Sequence, residues 1–168
     1  MIMNNRYIYG IGAALLLLLG TSCTDTWEQH YSQEVAGGNT LWEEISSRSE
    51  LSNFAKVIDA CEYDIVLNGS QTYSVFAPTN DYLSLAEADS LIENYTLLKN
   101  QGVKTNDNRV ITQFVHNHIA LYRKSVSSMT NDSISMMNGK YQVLTQTSIG
   151  GKAFGLSNEL HSNGVLYT

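Results

Sequence analysis

The sequence predicts an α+β domain, with helices mainly in the first half packed on a strand-rich second half. Three observations carry that prediction. Behind recognisable N-caps, apolar residues recur at helical spacing through much of the stretch from Thr40 to Leu121. One short alternating run, TYSVFAP, interrupts them early and ends at Pro78, the only proline of the chain. From Tyr122 onward turn signals separate strand-like runs, and Asn138-Gly139 is the strongest of these signals. Helices mainly first and strands mainly later is an α+β order, not the repeated βαβ units of a parallel sheet.

Residues 1–23, MIMNNRYIYGIGAALLLLLGTSC, stand apart from that domain. Arg6 precedes an apolar run of about 13 residues, short of the roughly 20 that cross a bilayer as a helix. The segment 1–22 is therefore expected to be an export signal rather than a membrane span. Gly20, Thr21 and Ser22 lead directly into Cys23, and the arrangement resembles the bacterial lipoprotein signal. In that signal the cysteine becomes the lipidated first residue of the mature chain; here Gly20 holds the place usually taken by leucine. The resemblance implies lipid on Cys23 and an outer-membrane lipoprotein of a Gram-negative bacterium, on the cell surface or the periplasmic face. Residues 23–39, polar and containing Gly37-Gly38, are expected to form a tether. Trp27 and Tyr31, four apart, form a docking helix in the alternative reading.

The elements of the domain, 40–168, follow in order. Thr40 has the pattern of an N-cap with Glu43 three residues on, a capping box before LWEEISSR. A second helix is expected through LSNFAKVIDACEY, where Leu51, Phe54, Ile58 and Cys61 share a face. TYSVFAP then alternates, placing Tyr73, Val75 and Ala77 on one face and Ser74 and Phe76 on the other. Pro78 cannot donate to a sheet ladder and ends that strand. Thr79 or Asn80 is expected to cap a long helix through 79–102, with a break near Asp89-Ser90. Asn106 or Asp107 is expected to cap a further helix, NRVITQFVHNHIAL, with Val110, Ile111, Phe114, Val115 and His118 on its apolar face. A hairpin turning at Asn138-Gly139 follows. KAFGLSNEL and NGVLYT close the sequence as two strands joined around Ser162-Asn163-Gly164.

Composition excludes several function classes. Ten basic against sixteen acidic residues give a formal charge of −6, and the basic residues are scattered, so no phosphate-neutralising patch for nucleic acid exists. The sequence lacks a Gly-x-Ser-x-Gly elbow, a phosphate-cradling glycine loop and a His-Glu-x-x-His pair. His116 and His118 point about 200° apart if helical and share a face only if extended, and no third ligand lies nearby. No enzyme activity, catalytic residue, metal or cofactor is expected. Cys61, with Cys23 lipidated, has no disulfide partner and is expected to be a buried inert thiol. Gly150-Gly151 is expected to be a turn. Asp89-Ser90-Leu91 and Asp132-Ser133-Ile134 resemble a short O-glycosylation sequon used by some Gram-negative bacteria on exported proteins.

Three segments, YSVFAPTNDYL, FVHNHIALYR and SNGVLYT, are together similar to the fasciclin domain. The likeness covers roughly Leu41 to Thr168 and is closest in the first block. It implies a fasciclin-like fold and a non-catalytic binding or adhesion role, with a protein or glycan as partner. An accessory role in glycan capture and uptake is the alternative. It also marks Asn117, His118 and Ile119 as the candidate partner contact. Asn117 stands where the family usually has tyrosine, so the integrin recognition linked to that tyrosine in animal relatives is not carried over. His118 has a second reading, a core histidine with a satisfied ring nitrogen. Tyr167 stands where the family has histidine, and the family's last strand runs on beyond the residue matching Thr168. A shortened final strand with unpaired backbone is therefore expected, or a natural chain that continues.

Overall fold

Residues 38–126 and 131–168 are described by the structure, a computed structural model. The export-signal run, Cys23, the Trp27–Tyr31 pair and most of the expected tether lie outside the described residues.

Thr40 opens the first helix through the expected capping box. Its hydroxyl accepts from Glu43 N (3.2 Å), and the Glu43 carboxylate accepts from Thr40 N (2.7 Å). Helix α1 (Leu41–Ser47) buries Leu41 and Ile45. After a single 3-10 turn, α2 (Ser52–Ala60) buries Phe54, Val57 and Ile58, and α3 (Asp64–Leu67) buries Leu67. The helix expected through LSNFAKVIDACEY is thus cut at Ala60. Glu62 takes a left-handed φ of 61°, and the Glu62 and Tyr63 amides turn back to Asp59 O and Ile58 O. That is a Schellman stop with glutamate in the place glycine usually holds.

The alternation of TYSVFAP is observed. Strand β1 (Tyr73–Phe76) sends Tyr73 and Val75 into one core, with Ala77 beyond its end, and Phe76 into another. It pairs antiparallel with β2 (Ile119–Leu121) and parallel with β8 (Gly164–Tyr167). Strand β7 (Glu159–His161) completes the sheet in the order β2-β1-β8-β7. Every residue of β8 is buried and has a partner in β1, and Gly164, Val165 and Leu166 also pair with β7. Within 164–167, the unpaired backbone expected of a short final strand is not found.

The long helix is real but starts later than expected. Ser84, not Thr79 or Asn80, caps α4 (Leu85–Asn100) in a second capping box with Glu87, and the helix runs unbroken through Asp89-Ser90. Thr79 O instead closes a turn with the Tyr82 and Leu83 amides. The next helix is also shorter. Asn108 caps α5 (Arg109–Gln113), and a 3-10 turn at Val115–Asn117 leads straight into β2. Strand β1 needs an antiparallel neighbour on that side, and tertiary pairing overrides the helical periodicity of HIAL.

A second sheet is an antiparallel meander of β3 (Asn131–Ser135), β4 (Tyr141–Thr145), β5 (Ser148–Ile149) and β6 (Lys152–Ala153). The β3–β4 hairpin turns at Asn138-Gly139 with Gly139 at φ 76°. Gly150 and Gly151, at φ 54° and 79°, form the two-residue β5–β6 turn that needs left-handed backbone at both positions. KAFGLSNEL does not form one strand; its ends belong to β6 and β7, in different sheets.

The first sheet therefore has two apolar faces. One meets the helices over Phe54, Val57, Ile58, Val75, Ile111, Ile119 and Leu166. The other meets the second sheet over Phe76, Ala120, Leu144, Val165 and Tyr167. Each such buried aliphatic or aromatic side chain stabilises the fold by roughly 1.5–3 kcal/mol relative to exposure.

Candidate functional site

Where the two sheets part, a cleft of about 440 Å³ opens. The loop after β1 supplies one wall through Pro78, Thr79 and Tyr82, and the β5–β6 hairpin supplies the other through Ile149, Lys152 and Phe154. Pro78 ends β1 as the sequence indicates. It also lines this cleft.

The floor is aromatic. Phe76 stacks on Tyr167 with centroids 4.9 Å apart and planes at 15°, and Phe154 lies 4.8 Å from Tyr167 on the same stack. Tyr167 is fully buried, and its hydroxyl lies 2.5 Å from Lys124 O and 2.9 Å from Asn158 Oδ1. Both are acceptors, so its single proton serves one at a time. Burial pushes this phenol up to about 12. The tyrosine that departs from the fasciclin pattern is thereby the pin between β8, the segment after β2 and the loop before β7.

Of the three candidate contact residues, two line the cleft. Asn117 and His118 do so, from the 3-10 turn that ends in β2. Ile119 does not: it is fully buried, pairs with Val75 and belongs to the helix-side core. His118 packs between Phe54 and Phe114, at centroid distances of 5.6 and 4.6 Å. Its Nδ1 lies 2.9 Å from Phe114 O. A carbonyl only accepts, so Nδ1 carries the proton and Nε2 is left as an acceptor. Burial holds the ring below the usual histidine range and outweighs the opposing bond to Phe114 O, so it is neutral at pH 7.

His116 points elsewhere, bonding the Tyr63 hydroxyl through Nε2 with the rings edge-to-face at 5.4 Å. The two histidines share no site. Among the described residues, no group of three His, Cys, Asp or Glu side chains is placed to hold a metal ion. Cys61 is buried, and its thiol is pushed up to about 12 by desolvation, which keeps it protonated and unreactive at neutral pH.

Sequence reasoning missed most of the cleft. Tyr82, Gln142, Lys152 and Phe154 come from three separate segments. The one usable signal was Gly150-Gly151, whose tight turn brings Lys152 and Phe154 back beside Phe76.

No protein-family model matches the sequence, and no curated protein matches it. Among solved structures the chain is similar to a FAS1 domain pair from the insect cell adhesion molecule fasciclin I, with a TM-score of 0.50 at 14% identity. The match covers 77% of this chain and 49% of that one, so the chain spans about half the length of the insect structure. Likeness at that identity concerns architecture alone, and the architecture agrees with the sequence-based expectation: an α+β, helix-first fold of the FAS1 (fasciclin) type.

Proposed function

We propose that the chain is an extracytoplasmic lipoprotein, anchored through lipid on Cys23, whose fasciclin-like domain (40–168) is a non-catalytic binding module in adhesion or surface-complex assembly. Residues 1–22 are its export signal and 23–39 its tether. The observation that carries the reading is the cleft. Its lining offers ring faces, two amides, several hydroxyls and an ammonium, the chemistry of recognition. The insect structure of similar fold is from a cell adhesion molecule, which agrees with that role.

Two measurements test it. The native chain should partition with membranes and Cys23→Ser should become soluble; a Cys23→Ser protein that still sediments with membranes sinks the anchor. A deletion strain should lose attachment to cells or matrix, and unchanged attachment counts against adhesion. Protease shaving of intact cells decides between surface and periplasmic face.

A second reading, glycan capture, is favoured by Tyr82. Tyr82 is 79% exposed and lines the cleft together with Asn117 and Gln142. An exposed aromatic face next to amides suits the apolar face and hydroxyls of a sugar.

A further inference from the structure

The polar groups around the cleft are unspent, and they differ in sign. Gln142 makes no hydrogen bond through its amide, Lys152 forms no ion pair, and the Tyr82 hydroxyl is unbonded among the described residues. His118 Nε2 has no partner among the described residues either. Among the described residues only His161 Nε2 is an unpartnered side-chain atom sealed from solvent, so the Gln142 amide and His118 Nε2 each keep some solvent contact, and both residues line the cleft.

Each group restricts the ligand. Neutral His118 Nε2 can only accept, so the ligand must donate, as a hydroxyl does. The Gln142 amide takes a hydroxyl in either sense. Phe154 and exposed Tyr82 need a flat or ring-shaped apolar face. Lys152 is the one formally charged side chain of the lining, and no acidic side chain among the described residues lies there. On a chain of net charge −6, that makes this a place where a carboxylate meets an ammonium and no described acidic side chain. A fatty acid supplies the carboxylate and no donor for His118. A neutral sugar supplies the donors and leaves Lys152 unpaired. A ring bearing both hydroxyls and one carboxylate satisfies all of them, and a sugar acid has that chemistry.

We propose that the cleft between the β1–α4 loop and the β5–β6 hairpin binds a uronic acid residue of an acidic glycan, with the carboxylate on Lys152, hydroxyls on Gln142 and His118, and the ring against Tyr82 and Phe154. This deepens the glycan-capture reading and rests on it.

Isothermal titration calorimetry on the full chain in detergent, with glucuronate- and galacturonate-containing disaccharides, tests the assignment. The matched neutral disaccharides and 4-hydroxybenzoate serve as the other arms. At least one uronide should bind about tenfold tighter than its neutral counterpart, the size of one charge-assisted bond. Lys152→Gln should abolish that preference. Tyr82→Ala, at an exposed side chain with no bonds to lose, should weaken acidic and neutral sugars alike by about fivefold. No binding by any uronide, equal binding of neutral sugars, tighter binding of 4-hydroxybenzoate, or uronide binding indifferent to Lys152→Gln each overturns the inference. A deletion strain that loses attachment while the purified chain ignores uronides overturns it too, and leaves the adhesion reading standing.

Discussion

Asn163 and Gly164 show how much one pair of residues holds. Asn163 is buried at the β7–β8 turn, and its amide is fully spent. Oδ1 accepts from Leu41 N at 2.8 Å, and Nδ2 donates to Leu67 O at 2.7 Å and Gly69 O at 2.8 Å. One side chain thus ties the start of α1, the end of α3 and the last hairpin. Asn163→Ala strands three backbone groups without partners in a dry place, and should cost about 3 kcal/mol in urea unfolding; a loss below about 1 kcal/mol would mean water replaces the amide. Gly164 is small for a different reason. An added Cβ would collide with Tyr73 O, which is backbone in the neighbouring strand and cannot yield, and with Leu41 Cδ1. Gly164→Ala should therefore destabilise by at least about 3 kcal/mol, by prising β8 from β1. Near-native stability would show that the strands can separate without loss.

At the scale of elements, the motif FAPTN was legible as a strand stop, and its asparagine was misassigned. Asn80 caps a helix, though not the one that follows it in sequence. Its Oδ1 accepts from Asn53 N, and its Nδ2 donates to Ser49 O and Ser52 Oγ, so it completes the start of α2, whose own N-cap Leu51 offers no side chain. Sequence spacing cannot reveal a cap delivered across 27 residues. The capping box at Thr40 was legible, and so were the two faces of β1 and the glycine turns, whereas the equally local box at Ser84 was passed over for the residues just after Pro78. The end of α2 was not, since its local left-handed stop falls on Glu62 rather than on a glycine, and neither was the strand at Ile119, which depends on a partner strand brought by the tertiary fold. The same limit hid the cleft: Asn117 and His118 stood in one motif, while Tyr82, Gln142 and Lys152 meet them only after the sheets form. Two substitutions separate the caps. Ser84→Ala should cost about 1 kcal/mol, through the loss of one local cap on α4. Asn80→Ala should cost about 2 kcal/mol, because backbone groups of α2 and the preceding turn both lose it. If thermal melts rank the two in reverse, the cross-chain cap contributes little.

Over the whole molecule, the described histidines all act in one direction. His116, His118 and His161 each sit below the usual range, and burial is the largest cause for each. His161 is the most informative, because charged neighbours surround it. Glu44 and Glu159 favour its protonation, Arg48 opposes it, and burial still wins. Arg48 itself bridges both carboxylates, which leaves little negative charge for the imidazole. A histidine whose folded-state pKa lies below its unfolded value binds fewer protons when folded. Its stabilisation is then complete above about pH 6.5 and is lost as the pH falls below that value. Glu44, lowered chiefly by its bond to Arg48, adds a second loss of the same sign at lower pH, through the carboxylate range. The melting temperature should thus be level between about pH 7 and 8, fall on acidification through 6 and 5, and fall further below 4. His161 Nε2 is buried without a partner, so an apolar side chain of similar reach removes an unmet polar atom along with the titration. His161→Leu should be within about 1 kcal/mol of the parent at pH 7 and should retain more of its stability at pH 5. A variant whose melting temperature falls as steeply as the parent's between pH 7 and 5 would move the acid sensitivity away from the β7 edge, to His116 against Tyr63 and His118 at the cleft.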